Sequence, residues 1–297
     1  MESCDARPRL AQRMAGFFQL CKPRVNSLIV FTAMIGMWLA APVMAQPGRF
    51  LLATLGIALV AGGAAAINCL VERTSDALMA RTRARATARG DVSTVETLTL
   101  ATMMGGLGLW LLHHWVNDLT MWMTLATFVG YAIIYTVVLK PMTPMNIVIG
   151  GVAGAMPPVL GWAAMTGQVT SESLALFLIN FLWTPPHFWS LACYRREEFA
   201  RAGLPMLPVI RGVPHTCRQS LYYVIGLTGA SFLPVALGTA GFAYGAVVAV
   251  LDGLFIVHAY RLCRGYNDAL ARRMFRYSIT YLTVLFAVLL ADHLLLI

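Results

Sequence analysis

Nine runs of apolar residues, each close to the length of a membrane crossing and separated by polar gaps, decide most of what this chain can become. They lie at 26–46, 50–71, 93–112, 119–139, 145–165, 172–193, 219–240, 242–262 and 274–296. A helix needs about 20 predominantly apolar residues to cross the hydrocarbon core. In lipid the backbone must satisfy its own hydrogen bonds, which unbroken apolar runs of this length do as helices. The expectation is an all-α polytopic membrane protein with about nine transmembrane helices. A composition of 59% hydrophobic and 12% charged residues leaves little for a soluble domain.

A formal net charge of +9 could suggest a nucleic-acid partner. The positions of the charges exclude it, because they sit in the gaps between apolar runs. With the N-terminus inside, 21 of the 22 Lys and Arg residues fall on the inner side and Arg49 falls outside. Positive charge is retained on the cytoplasmic side during insertion, which predicts N-in/C-out. Residues 1–297 read as one transmembrane domain, with 1–25 as a basic cytoplasmic N-terminal segment. No cleavable signal with a small-residue site precedes Cys21-Lys22-Pro23-Arg24. The cysteines at 4, 21, 69, 193, 217 and 263 show no CxxC and no paired spacing, so free or buried thiols are expected.

Two inner connections, 73–92 and 194–218, are long, and function is expected on such loops when a rigid scaffold holds them. They follow the second and sixth spans, which hints at two four-helix halves and one extra helix. The spacing Gly150-xxx-Gly154 favours close helix packing. Pro157-Pro158 and Pro185-Pro186 each remove backbone hydrogen bonds inside a span. Two broken helices predict a bundle around a central cavity that opens to the cytoplasmic side.

Asn68, Glu72 and Asp76 recur every four residues, so on a helix an amide and two carboxylates line one face. Arg73, Arg81, Arg83 and Arg85 lie beside them. Oxygen ligands of this kind suit Mg²⁺, which usually keeps substrate phosphates in its shell. Carboxylates cannot hold a bare diphosphate, but they can do so through a bridging cation, with arginine on the remaining oxygens. A solvated helix end would explain the arginines and would leave the intramembrane amide Asn68 unexplained. A second group, Tyr194-Arg195-Arg196-Glu197-Glu198, follows the sixth span on the same side and offers an opposing jaw. Lys140, the sole charge of a tight inner loop, is placed either to reach a phosphate or to anchor by snorkelling. His187 is ionisable and intramembrane, which marks a functional candidate; a hydrogen-bonded structural histidine is the other reading. His113-His114 has no third ligand in view. Asp252 has no evident partner, since His258 is six residues on and about 240° around the helix.

Several stretches together resemble the intramembrane prenyltransferases of the UbiA superfamily, and among them those that farnesylate haem. They are Asn68-Cys69, Met79 to Thr82 with Arg85, Tyr135 to Lys140, Thr143 to Pro158, Gly161 to Ala164, Trp183 to Trp189 and Ala202 to Pro208. The departures are acidic residues one methylene longer. Glu72 and Glu197-Glu198-Phe199 stand where the family has Asp and Asp-Asp-Tyr, and Lys140-Pro141 and Arg85-Ala86 replace Lys-Arg and Arg-Pro. The resemblance implies transfer of a farnesyl group from farnesyl diphosphate to a vinyl group of haem b, giving haem O, with Mg²⁺ as cofactor. It implies Asn68, Glu72, Asp76 and Glu198 as metal ligands, with Lys140 in the catalytic set. Arg73, Arg81, Arg85 and Arg195 would bind the diphosphate, and Tyr135, Asn146, Trp183, His187 and Tyr194 would line the substrate site. It further implies a bacterial inner membrane, an active site facing the cytoplasm, and a haem-modifying enzyme or terminal-oxidase assembly factor downstream. The acidic residues alone leave open the same chemistry on a quinone-precursor ring. A transporter would also have many spans, but its coupling charges are expected near the midplane.

Overall fold

The computed structural model describes residues 10–296. Cys4, Arg7 and Arg9 of the basic N-terminal segment lie outside the described residues. Among the described residues there is no strand. A short α1 (Leu10–Leu20) precedes α2 (Pro23–Ala40) and α3 (Pro47–Val71). The small helices α4 (Arg73–Ala77) and α5 (Ala86–Arg89) then lead to α6 (Thr94–Trp115) and α7 (Asp118–Val129). Helix α7 continues through the π-helical turns of Gly130–Leu139 into α8 (Lys140–Met142); α9 (Asn146–Ala155) and α10 (Pro157–Thr166) follow. The remaining helices are α11 (Ser171–Tyr194), α12 (Arg196–Arg201), α13 (Leu207–Ile210), α14 (Val213–Ser231), α15 (Leu233–Ala236), α16 (Phe242–Arg264) and α17 (Asp268–Leu296). Among the described residues, seven helical rods are long and apolar enough to cross a membrane: α2, α3, α6, Asp118–Met142, Asn146–Thr166, α16 and α17.

The starts of these helices are legible locally. Proline occupies the first turn of α2, α3, α10 and α14, where its missing N–H costs nothing. Ser93 and Glu96 form a reciprocal capping box at the start of α6. The packing is set by small residues. A Cβ added at Gly63 would lie 2.8 Å from the carbonyl oxygen of Ala101, and one at Gly161 would lie 1.9 Å from that of Ala33. Glycine therefore lets α3 meet α6, and α10 meet α2, backbone to backbone. One apolar core joins α2, α3, α6 and α10; a larger one joins α11, α14, α16 and α17 and also takes Ile35 of α2 and Trp162 of α10. Large apolar side chains such as Leu51, Met103, Trp122 and Val250 face outward, as lipid requires.

One expectation about interrupted helices and one about close packing are each met only in half. The break at Pro157-Pro158 is present, between α9 and α10, but α11 runs unbroken through Pro185 and Pro186. Proline's fixed φ is itself helical, so two adjacent prolines can delete hydrogen bonds without ending the rod where neighbouring helices enclose it. In the Gly150-xxx-Gly154 pair, Gly150 meets the Tyr135 ring, which a Cβ would approach to 2.1 Å, whereas Gly154 faces open space.

Asp252 gains the partners the sequence did not show. Ser231 of α14 donates to Oδ2 at 2.7 Å and Tyr281 of α17 donates to Oδ1 at 2.6 Å. Tyr244 donates to the Ser231 carbonyl, and Asp292 accepts from the backbone N–H groups of Gly241 and Tyr244. This buried network ties α14, α16 and α17 together away from the polar mouth. The described cysteines, at 21, 69, 193, 217 and 263, are free.

Candidate active site

The Asn68–Glu72–Asp76 stripe forms although α3 ends at Val71. Glu72 is the hinge between α3 and α4 (φ −83°, ψ 1°), and the four-residue hydrogen bonds continue across it. Glu72 N donates to Asn68 O at 3.0 Å and Asp76 N to Glu72 O at 2.8 Å, which keeps the three side chains on one face. Asn68 Nδ2 donates to Glu72 Oε1 at 2.6 Å and to Thr136 Oγ1 at 3.0 Å. All three residues of the stripe are buried.

Each member of the stripe holds one cation. Lys140 Nζ donates to Glu72 Oε1 at 2.5 Å, Arg85 Nη1 to Asp76 Oδ2 at 2.5 Å, and Lys22 Nζ to Asn68 Oδ1. Arg85 also lies 3.7 Å from Glu72 Oε2. Burial raises the Glu72 carboxyl, but Lys140 and Lys22 outweigh it and hold the group below its ordinary range. At Asp76 burial wins over Arg85 and the carboxyl is raised. Burial lowers the Lys22 ammonium. The Arg85 guanidinium, lowered by burial, is raised overall by Asp76.

Lys22 is the residue that sequence reasoning missed. It is the one non-glycine residue with positive φ among the described residues (φ 47°, ψ 60°), and it precedes Pro23, which disfavours helical backbone on either hand. A strained residue aimed at a polar site points to function. The signal was present in Cys21-Lys22-Pro23-Arg24, a lysine set directly before a span. Thr136 was missed as well. The π-helical turns through Gly130–Leu139, marked by the Lys140 N–H bonding Tyr135 O five residues back, turn Thr136 and Lys140 toward the stripe. Such turns recur at functional sites and are invisible to a 3.6-residue pattern.

The other candidates are placed variously. Arg73 turns away and donates to Thr94 Oγ1 at 3.0 Å. Arg83 is exposed. Arg81 is also exposed, and Arg85, Asp76 and Arg195 all act on its charge. Tyr135 stacks on Tyr131, ring centroids 5.6 Å apart, beside Lys140. Asn146 is fully buried and holds the turn that carries Lys140, donating to Thr143 O at 2.7 Å. Trp183 Nε1 donates to Ser278 O at 2.7 Å and its ring stacks on His187. Where α11 meets α12, Arg195 Nη1 donates to Glu198 Oε1 at 2.5 Å, while Arg195 and Arg272 lie 5.7 and 5.2 Å from the Tyr194 ring centroid. A polar cavity of about 220 Å³ opens there, lined by residues that include Tyr194, Arg195, Glu198 and Asp268.

Among the described residues no three His, Cys, Asp or Glu side chains cluster closely enough to hold one ion, so Glu198 does not join Glu72 and Asp76 in a single ligand group here. The donor chemistry nevertheless fits a hard divalent cation. Asp76 Oδ1 and Glu198 Oε2 are buried carboxylate oxygens without a hydrogen-bond partner, and the rest of the stripe offers only further oxygen.

A buried amide and two carboxylates facing three cations, at one end of an apolar helical bundle, define a polar site held within a membrane-spanning protein. Residues 29–288 match the UbiA prenyltransferase family, and the chain belongs to it as an integral membrane protein. It is 66% identical over 285 residues to the protoheme IX farnesyltransferase of Dechloromonas aromatica, covering 96% of each chain. It is 60% identical to that of Azoarcus sp., over 96% of this chain and 95% of the relative. In fold it is similar to a digeranylgeranylglyceryl phosphate synthase, with a TM-score of 0.79, 17% identity, and coverage of 95% of this chain and 99% of the other. It is also similar to a UbiA homolog from Archaeoglobus fulgidus bound to GPP and Mg²⁺, with a TM-score of 0.63, 15% identity, and coverage of 92% and 99%.

Proposed function

We propose that this chain transfers the farnesyl group of farnesyl diphosphate to a vinyl group of haem b, producing haem O. The observation that carries the reading is the buried stripe of Asn68, Glu72 and Asp76 with Lys22, Lys140 and Arg85 already on its oxygens, in a chain 66% identical to a protoheme IX farnesyltransferase. Asn68, Glu72 and Asp76 would hold Mg²⁺, with Glu198 approaching from the opposite jaw. The metal, when bound, supplies positive charge that neutralises the departing diphosphate.

The protein's own groups do the rest. Lys140 and Arg85 exchange their carboxylate contacts, and Lys22 its contact with the Asn68 amide oxygen, for diphosphate oxygens, and Arg81 and Arg195 add positive charge at the mouth. The allylic C–O bond breaks with its electron pair leaving on the diphosphate. The vinyl π electrons form the new C–C bond, water adds to the carbon left positive, and its proton passes to solvent. The faces of Tyr131 and Tyr135, stacked beside Lys140, stabilise the allylic cation, while the apolar bundle keeps water from it before the acceptor attacks.

The reading includes nine spans, the two beyond those named above being α11 and the α14–α15 rod, with N-in/C-out topology and one domain over 1–297. It places the chain in a bacterial inner membrane with the active site on the cytoplasmic side, passing haem O to a haem-modifying or oxidase-assembly partner. The test is incubation of membranes with haem b, farnesyl diphosphate and Mg²⁺, followed by chromatography of the haems. A farnesylated haem that depends on Asp76 is expected. Absence of that product, or its appearance on a quinone-precursor ring alone, rejects the acceptor.

A further inference from the structure

Two turns before the mouth, α11 carries an imidazole whose proton is assigned by its neighbours. The His187 ring lies 4.3 Å from the Trp183 ring and 4.7 Å from the Phe275 ring, 18° and 26° from parallel, and Phe188 meets it edge-on at 5.3 Å. Its Nδ1 is 2.7 Å from Ser278 Oγ, and that hydroxyl in turn lies 2.7 Å from the Phe275 carbonyl oxygen. A serine hydroxyl has one hydrogen. If Nδ1 were the acceptor, the two contacts would compete for that hydrogen and the hydroxyl oxygen would face either an imidazole lone pair or a carbonyl unbonded. With the proton on Nδ1 both contacts are hydrogen bonds: Nδ1 donates to Oγ, and Oγ donates to the carbonyl. The neutral imidazole then carries its lone pair on Nε2, which has no hydrogen-bond partner among the described residues, although the side chain is partly exposed.

That arrangement suits a metal ligand better than a proton carrier. The ring that binds a metal through one nitrogen characteristically donates from the other, which fixes its tautomer and direction. The lone pair lies in the ring plane, so aromatic rings against the faces hold the imidazole without obstructing it. Trp183, whose Nε1 bonds the Ser278 carbonyl at 2.7 Å, is itself tied to the same turn of α17. His187 is seven residues before Tyr194, about 10 Å along the helix at 1.5 Å per residue, so its Nε2 lies in the apolar zone below the charged mouth.

We infer that Nε2 of His187 is an axial ligand to the iron of the haem substrate and that Ser278 is the positioning residue that holds it in the ligating tautomer. The inference rests on haem being the acceptor, as proposed above. One axial bond fixes the centre of the porphyrin at a known depth and leaves the ring to turn in its own plane, so the choice of vinyl falls to other contacts.

The test titrates the detergent-solubilised full chain with ferric haem b and, in parallel, with iron-free protoporphyrin IX, read by absorption and electron paramagnetic resonance. In His187→Ala, ferric haem is expected to bind at least about tenfold more weakly, with a changed iron spectrum that added imidazole restores. Iron-free porphyrin is expected to bind both proteins alike. An unchanged iron spectrum, or equal losses for both porphyrins, overturns the ligation. Protein labelled with nitrogen-15 histidine gives a readout that needs no variant. Hyperfine coupling of a histidine nitrogen to bound ferric iron is expected in the wild type, and its absence overturns the inference. Farnesyl transfer is followed in the same preparations. Haem O formed without histidine coupling rejects the ligation alone, whereas coupled haem without farnesylated product rejects the activity and leaves the ligation standing.

Discussion

Replacing Lys140 by Met separates the two things the Lys140–Glu72 pair does. The ammonium and the carboxylate are 2.5 Å apart with side-chain exposures of 12% and 9%, so the substitution leaves a buried carboxylate without its nearest counter-charge. Removing one partner of a buried pair costs about 3–5 kcal/mol. The lower end is expected here, because Arg85 remains 3.7 Å from Glu72 Oε2 and Lys22 remains on the adjacent Asn68. Activity should fall as well. A charge-assisted contact to the diphosphate is worth about 1.5–3 kcal/mol, or roughly ten- to a hundredfold in kcat/KM. Lys140→Met with Glu72→Gln removes both charges and should recover most of the stability without recovering activity, since the phosphate contact and a metal-binding oxygen are both lost. Unfolding in detergent reports the first effect and single-turnover farnesylation with saturating haem reports the second. A double variant that regains activity would mean that Lys140 only neutralises Glu72. A single variant as stable and active as the wild type would mean the pair is not buried in the working enzyme.

Further outcomes follow from the same geometry. Lys22→Met should lower kcat/KM by about tenfold or more, and a variant with unchanged kinetics would show that the strained backbone at Lys22 serves folding alone. Chelation should abolish activity and added Mg²⁺ should restore it, with Asp76→Ala unresponsive to either; activity indifferent to chelator removes the metal from the mechanism. Asp252→Ala strips the Tyr281 hydroxyl of its acceptor and leaves the Ser231 hydroxyl only the Thr228 carbonyl, 2.8 Å away. It should cost about 1–3 kcal/mol of stability while activity per folded molecule is unchanged, and an activity loss without a stability loss would give the network a catalytic role. Glu72→Asp keeps the charge but shortens an arm that reaches both Asn68 Nδ2 and Lys140. It should stay within about tenfold of the wild type in farnesylation, and a larger loss than in Glu72→Gln would show that reach matters more than charge.

Much of this protein is legible along the chain because lipid imposes a single backbone solution. Apolar runs of membrane-spanning length must be helical, but which glycines let backbones meet was not legible: Gly63 and Gly161 do so, whereas Gly150 of the Gly150-xxx-Gly154 pair meets the Tyr135 ring. The Asn68–Glu72–Asp76 stripe is legible for the same reason, since a four-residue period defines a face even across the hinge at Glu72. The partners of that stripe were not. Lys22 and Lys140 lie 46 and 68 residues from the groups they bond. Their approach depends on a left-handed residue before Pro23 and on π-helical turns after Gly130, neither of which leaves a periodic signature. Arg73, adjacent to Glu72 in sequence, points instead to Thr94. Nor could the sequence place Ser231 and Tyr281 on Asp252, or Ser278 on His187, because each pair joins helices whose relative rotation is fixed only by packing. Sequence by itself determined the helices, the polar stripe and, through its resemblance, the chemistry. Which charge meets which, and which imidazole nitrogen keeps its proton, was decided by tertiary structure, since hydrogen bonds act over about 3 Å and only the packed bundle brings residues that distant into range.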